Sequence, residues 1–268
     1  DINKYTDTID FDNSSTNDLM NNPIVDKRFR PNAYLKIFQR PFPYIETIIR
    51  QNKNFTYNWN TTGLLSPVKN QGHCGSCWAF SSVGAVESAW AIKHNVLYNL
   101  SEQELIDCSS ENQGCEGGSM VKSFQYIMNN GLCSNESYPY IGQDNQCNNS
   151  CKSLVEISNY SGITPNKETI LKYAVQRKPV SVAIQANKRS FQMYKSGIYS
   201  DPDCGFQLDH GVLLIGYGYD KIYDMEYWII KNSWSDSWGE NGYIRIQRNI
   251  DDPRGLCGIA MDPSVPII

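Results

Sequence analysis

The chain has 268 residues, 40% of them hydrophobic and 19% charged, enough apolar material for two modest cores or one large one, which excludes an intrinsically disordered protein. A net charge of −4 with scattered basic residues presents no cationic face, so nucleic acid is not expected as a partner. No apolar run approaches the roughly 20 residues that cross a bilayer, so no membrane contact is expected either.

Residues 1–51 differ from the rest. They hold no cysteine, begin acidic (Asp1, Asp7, Asp10, Asp12, Asp18) and turn basic (Lys27, Arg28, Arg30, Lys36, Arg40, Arg50), which sets a boundary near Gln51. The N-terminus has neither the basic nor the apolar part of a signal peptide, so the chain reads as processed or truncated, its targeting sequence missing. Beyond the boundary, the spacing of Trp78, Val83, Val86 and Trp90 predicts a helix from Cys77 to about Lys93, with Ser76 or Cys77 in its first turn. Ser101-Glu102-Gln103-Glu104 reads as a capping box that opens a second helix, and a third covers about Ser119 to Asn130, closed by Gly131. A short helix near Lys167 to Gln176 precedes strand-like runs at Val180–Ala186, Gly211–Gly218, Tyr227–Lys231 and Gly242–Gln247. The stretch from about 60 to 160 is thus mainly helical and that from about 161 to 268 mainly sheet, without internal repeats or low-complexity tracts.

Nine cysteines leave one thiol over when the rest pair, and Cys77 sits where a nucleophile is useful, in Gln71-Gly72-His73-Cys74-Gly75-Ser76-Cys77-Trp78-Ala79-Phe80. Eight pairable cysteines argue for an oxidising, secretory route. Seven Asn-x-Ser/Thr sequons, at Asn13, Asn54, Asn60, Asn99, Asn135, Asn148 and Asn159, are compatible with a glycoprotein but arise readily in an Asn- and Ser-rich chain. A free thiol titrates near 8.5, and a helix N-terminus beside an imidazolium lowers it by several units. Two further segments offer that imidazole and something to orient it: Leu208-Asp209-His210-Gly211, and Lys231-Asn232-Ser233-Trp234-Ser235-Asp236-Ser237-Trp238-Gly239-Glu240. His73 and His94 lack such a context and read as solvated. Trp234 and Trp238 read either as core aromatics or, from their place after Asn232, as a shield over the hydrogen bond between His210 and Asn232. Cys74-x-x-Cys77 admits a redox or half-zinc reading, but no second Cys-x-x-Cys exists, the tryptophan follows the pair, and three histidines are few for a metal site.

With Gln71 added, these segments resemble the papain-like, cathepsin L-like cysteine proteases in identity, order and spacing from about Asn52 to the C-terminus. The resemblance implies an α+β, two-lobed fold: a helical left lobe, a β-barrel-like right lobe and an active-site cleft between them. It implies Cys77 as nucleophile and His210 as proton donor to the leaving amine and later as base. Asn232 then orients the ring, and the Cys77 N–H with the Gln71 side-chain amide forms the oxyanion hole. No cofactor and no metal are implied. Disulfides follow as Cys74–Cys115, Cys108–Cys147 and Cys204–Cys257, which leaves Cys133 and Cys151 as a fourth pair. A similar extra pair occurs in the falcipain branch of apicomplexan parasites, which suggests that lineage, although Tyr219–Glu226 is far shorter than the loop with which falcipains grip haemoglobin.

Substrate contacts also carry over. Gly75 falls beside the nucleophile, and Gly117 and Gly118 match the backbone platform that pairs with an extended peptide. Met120, Ala183, Leu208 and Gly211 fall at the walls of the S2 pocket, Asp262 at its floor, Asp209 beside the histidine and Trp234 on the leaving-group side. Apolar walls imply Leu, Val or Phe at P2, and an acidic floor adds tolerance for Arg. The absence of an occluding insertion between Cys108 and Tyr138 implies an endopeptidase. Two motifs depart from the family, Asn58-Trp59-Asn60 for Asp-Trp-Arg and Asn232-Ser233-Trp234-Ser235 for Asn-Ser-Trp-Gly, and neither touches a catalytic group.

Asn3-Lys4-Tyr5-Thr6-Asp7 resembles the Asn-x-Phe-x-Asp piece of a family propeptide, so residues 1–51 read as a propeptide remnant or, alternatively, as an N-terminal extension, ahead of a peptidase domain over 52–268. Expected partners are protein and peptide substrates, the chain's own propeptide and cystatin-type inhibitors, with the enzyme a monomer. The expected location is the secretory pathway, ending in a lysosome, a food-vacuole-like compartment or the extracellular space. The rival readings are a latent zymogen and a non-enzymatic binding module on a protease scaffold.

Overall fold

The computed structural model describes residues 56–148 and 150–268; the propeptide motif, the whole charge pattern of residues 1–51 and the boundary near Gln51 lie outside the described residues, as do the sequons at Asn13 and Asn54. In chain order the elements are β1 (Tyr57–Asn58), α1 (Cys77–His94), α2 (Glu102–Cys108), α3 (Met120–Asn130), β2 (Asn159–Gly162), α4 (Glu168–Arg177), β3 (Val180–Ile184), α5 (Arg189–Gln192), β4 (Ile198–Tyr199), β5 (His210–Asp220), β6 (Met225–Lys231), β7 (Tyr243–Gln247) and β8 (Ser264–Ile267). The fold is α+β and two-lobed: α1 to α3 lie ahead of residue 131, and all strands of the eight-stranded sheet except β1 come after it, with α4 and α5 between them.

The helix that begins at Cys77 is central rather than amphipathic. Trp78 through Ala89 are all buried, the polar Ser81, Ser82, Glu87 and Ser88 included, so no face is left for solvent until its last turns. A helix can be buried all round only if its polar side chains find partners. Ser82 returns its hydroxyl to Trp78 O, Ser88 to Gly84 O at 2.6 Å, and Ser81 donates across the lobes to Val212 O of β5 at 2.7 Å. Asn95 ends the helix in the left-handed conformation (φ 56°), its N–H bonded to Ala91 O.

Ser101 caps α2, its hydroxyl accepting the Glu104 N–H at 3.0 Å. The expected capping box forms only on that side. Glu104 turns away to accept the Cys133 N–H at 2.7 Å and the Tyr126 hydroxyl at 3.2 Å, because Ser101 N–H is already spent on Cys133 O. Glu104 thereby ties α2 to α3 and to the chain that follows it.

The sheet order is β2-β8-β3-β5-β6-β7-β4, with β1 also paired to β5. Pairing is antiparallel except between β4 and β7. β2 and β4 end the sheet, so at the level of backbone pairing it is open. β5 is its long central strand, with a bulge between Leu214 and Gly216 that lets β1 pair at Tyr57↔Tyr217 and Asn58↔Gly216. Trp59, fully buried, donates its indole N–H to Val175 O of α4 at 2.6 Å, and burial of such a ring is worth up to about 5 kcal/mol. Strands β1, β2, β4 and β8, two to four residues each, escape sequence reading because they are too short to show an alternation.

The lobes meet where α1 starts and β5 starts. An ideal Cβ on Gly211 would lie 3.2 Å from Cys77 O and 3.1 Å from Met120 Sδ, so a side chain there would push the two elements apart by a few tenths of an ångström. This juxtaposition brings Cys77 and His210 together.

Candidate active site

Cys77 is the first residue of α1 and His210 the first of β5. Disulfides join Cys74–Cys115, Cys108–Cys147, Cys133–Cys151 and Cys204–Cys257, and Cys77 is the free, half-buried thiol. His210 is buried. Its Nε2 lies 2.8 Å from Asn232 Oδ1, which leaves Nδ1 as the nitrogen for the Cys77 sulfur. Asn232 follows β6 and is held by its N–H to Gly242 O at 3.0 Å; its Oδ1 also accepts the Ser233 N–H at 2.8 Å. With both donors directed at Oδ1, the amide orientation is fixed, oxygen toward the imidazole. Trp234 stacks on His210 with ring centroids 4.7 Å apart.

The electrostatics favour an ion pair. Burial pushes the Cys77 thiol up, but the hydrogen bond and charge of His210 and the backbone N–H groups of Gly211 and Trp78 more than reverse it, and the thiol sits below its ordinary value. Burial likewise pushes His210 down, while the Cys77 hydrogen bond and charge, Asn232 and the nearby Asp209 carboxylate hold it above the usual imidazole value. Asp209 stays exposed and accepts the Ala186 N–H at 2.6 Å. A lowered thiol and a raised imidazole open a pH window in which the thiolate and the imidazolium coexist.

Gln71 is buried six residues before Cys77. Its Nε2 donates to Cys74 O at 2.9 Å and its Oε1 accepts the Ser233 hydroxyl at 2.7 Å, leaving one amide hydrogen uncommitted. Gly75 donates its N–H to Cys115 O at 2.8 Å, and a Cβ there would strike that oxygen at 2.4 Å, so the loop before α1 lies directly on the segment that carries Gly117 and Gly118. Gly118 packs flat on the Trp78 indole. Met120 touches Gly211, and Ala183 stands opposite Gly211 in the β3–β5 register. Leu208 and Met261 both press on Gly258, so Met261, which the sequence reading omitted, joins Leu208 on the same side. Asp262 lies at the surface, yet the protein around its carboxyl raises its pKa.

Behind Asn232 lies a feature that sequence reasoning missed. Lys69 Nζ bonds Glu87 Oε1 at 2.9 Å and Glu102 Oε1 at 2.6 Å, while Lys231 Nζ donates to Ser66 O at 2.7 Å and Ser66 Oγ at 3.0 Å. Burial lowers Lys231 to about 8 and raises Glu102; Lys69 ends raised, its two carboxylates outweighing its burial. A cavity of about 20 Å³ touches Lys69, Glu102, Lys231 and Asn232, too small for any substrate side chain. The one available signal was Glu87, a lone charge inside an otherwise apolar and small-residue helix.

The papain family cysteine protease model matches residues 54–267. The chain belongs to the papain family of cysteine proteases. Among its papain-family relatives, the rice senescence-specific cysteine protease SAG39 is 46% identical over 215 residues, which is 79% of this chain and 62% of the rice protein. The KDEL-tailed cysteine endopeptidase CEP2 of Arabidopsis thaliana is 48% identical over 214 residues, 78% of this chain and 58% of that protein. The chain therefore spans about three-fifths of the length of these relatives. In structure it is similar to the bromelain protease of Ananas comosus in complex with the inhibitor E64, with a TM-score of 0.76 and 41% identity over 80% of this chain and 98% of that one. These relatives are plant proteins and correct the expectation of an apicomplexan, falcipain-like lineage. The Cys133–Cys151 bridge that prompted it closes a local loop, with a sequence separation of 18, and a pair so close in sequence can be gained without marking a lineage.

Proposed function

We propose that this chain is a cysteine endopeptidase that cleaves peptide bonds through a thioester on Cys77. The observation that carries the reading is the 2.8 Å contact from His210 Nε2 to Asn232 Oδ1, in a site where the Cys77 thiol is lowered and His210 raised. The Cys77 thiolate attacks the carbonyl carbon, and the developing oxyanion takes hydrogen bonds from the Cys77 N–H and the uncommitted Gln71 amide hydrogen. His210 passes its proton to the amide nitrogen as the C–N bond breaks, and the amine leaves. His210 then takes a proton from water as that water attacks the thioester, and the acid product departs with the thiolate–imidazolium pair restored.

Gly75, Gly117 and Gly118 take the substrate backbone, Trp234 and Asp209 flank the leaving side, and Met120, Ala183, Leu208 and Gly211 favour an apolar P2 residue. Asp262, when ionised, extends that tolerance to Arg; an Arg-to-Leu ratio at P2 left unchanged in Asp262→Ala would remove it from the pocket. Residues 1–51 act as a propeptide remnant laid before a peptidase domain over 52–268. Partners are protein and peptide substrates, the propeptide and cystatin-type inhibitors, and the enzyme works as a monomer. Its four disulfides suit secretion and a lysosome-like, vacuolar or extracellular site, in keeping with a relative described as KDEL-tailed.

The test is hydrolysis of a fluorogenic Leu-Arg peptide at mildly acidic pH with reductant, before and after limited proteolysis of the N-terminal segment, beside Cys77→Ala. Activity that rises on trimming and vanishes in Cys77→Ala is expected. Activity indifferent to trimming removes the propeptide, and silence from folded, trimmed protein favours a binding module.

A further inference from the structure

Ser76 is the N-cap residue of α1, fully buried, and it does not cap. A serine at that position ordinarily sits in extended backbone and accepts the N–H of the second or third helical residue, here Trp78 or Ala79. Ser76 instead has φ −95° and ψ 16°, and its hydroxyl meets the Tyr140 hydroxyl at 2.9 Å. Tyr140 spends its own proton on Gln71 O at 2.6 Å, so Ser76 is the donor in the second bond. One tyrosine oxygen therefore ties together both ends of the loop that runs from Gln71 to Cys77. The tyrosine ring is braced edge-on against Phe80 of the same helix, centroids 5.0 Å apart.

What a conventional cap would take is what the proposed chemistry uses. Of those two groups, the Ala79 N–H is already bonded to Ser76 O at 2.8 Å, and the Trp78 N–H acts as a donor to the Cys77 sulfur. We propose that Tyr140 is a positioning residue that withholds the Ser76 hydroxyl from the end of α1, reserving the Trp78 N–H for the sulfur. The inference rests on the functional reading above. Without the tyrosine hydroxyl, a buried Ser76 must find another partner, and the Trp78 N–H is one that an N-cap hydroxyl ordinarily takes once its backbone relaxes toward the extended region.

The pH dependence of Cys77 alkylation by iodoacetamide, on the full chain, tests this in Tyr140→Phe, Ser76→Ala and the double variant. In Tyr140→Phe the thiolate loses a donor to a competing hydroxyl, so the onset of alkylation moves up by about one pH unit, with kcat for a peptide falling about tenfold and KM little changed. Removing the competitor restores it: the double variant returns to the wild-type onset, and Ser76→Ala alone never leaves it. A general packing role for Tyr140 predicts no rescue by Ser76→Ala, so an onset still raised in the double variant, or unmoved in Tyr140→Phe, overturns the proposal. Should Tyr140→Phe fail to fold, Ser76→Ala decides, since an onset moved to lower pH would mean that the serine already competes for the N–H. If wild-type protein has no thiolate at mildly acidic pH, the functional reading fails; if it has one and the rescue is missing, only this inference does.

Discussion

Two charged regions join the lobes, ten residues apart on α1, and they are built for opposite ends. At Cys77 the helix meets His210 of β5 in the cleft; at Glu87 it meets Lys69, with Glu102 and Lys231 nearby, in the interior. In the interior, the two oxygens of Glu87 take three donors, from Lys69, Leu100 N–H and the Ser66 hydroxyl, so the charge is held by several short contacts at once. In the cleft, a thiol and an imidazole hold each other's charge with Asn232, the Asp209 carboxylate and two backbone N–H groups as their further support. In the interior, removing one partner would strand a buried charge, whereas in the cleft one partner is left open to a substrate.

Variants that hit one region and spare the other sharpen the contrast. The largest expected effect is Lys69→Met, which leaves Glu87 and Glu102 buried without their shared cation and costs about 3–5 kcal/mol, a fall of about 10 °C in melting temperature. Thermal unfolding measures it, and a melting temperature within a degree or two of wild type would mean that the cluster does not bind the lobes together. Next is Asn232→Ala, for which kcat falls by about one to two orders of magnitude while stability changes by about 1 kcal/mol, since the loss is one hydrogen bond on the imidazole. Equal losses of stability in the two variants would erase the distinction drawn between the regions.

How much of this was legible in the sequence depends on what kind of residue carries it. The segments around Cys77, His210 and Asn232 stand out because a thiol, an imidazole and an amide in such contexts have few other uses, and α1 to α4 follow from spacing and end signals. The interior cluster stayed hidden because Lys69, Glu87, Glu102 and Lys231 lie on four separate segments, and an isolated Lys or Glu ordinarily reads as surface. Tyr140 was hidden for the same reason: its role comes from a contact 64 residues away in sequence. Glu104 shows the converse, a local signal partly overridden, since its carboxylate answers to Cys133 and Tyr126 rather than to the capping box. The capping box is a local preference of about 1 kcal/mol, and two tertiary hydrogen bonds outweigh it.

The central claim is that the fold sets a thiolate beside an imidazolium, and the most direct measurement is the rate of Cys77 alkylation against pH in wild-type protein. The account predicts one fast-reacting thiol with a plateau that begins well below the ordinary thiol range, because the thiol is lowered, and a further change in rate above the usual imidazole value as the raised His210 gives up its proton. A single rise through the ordinary thiol range, near 8.5, would contradict it.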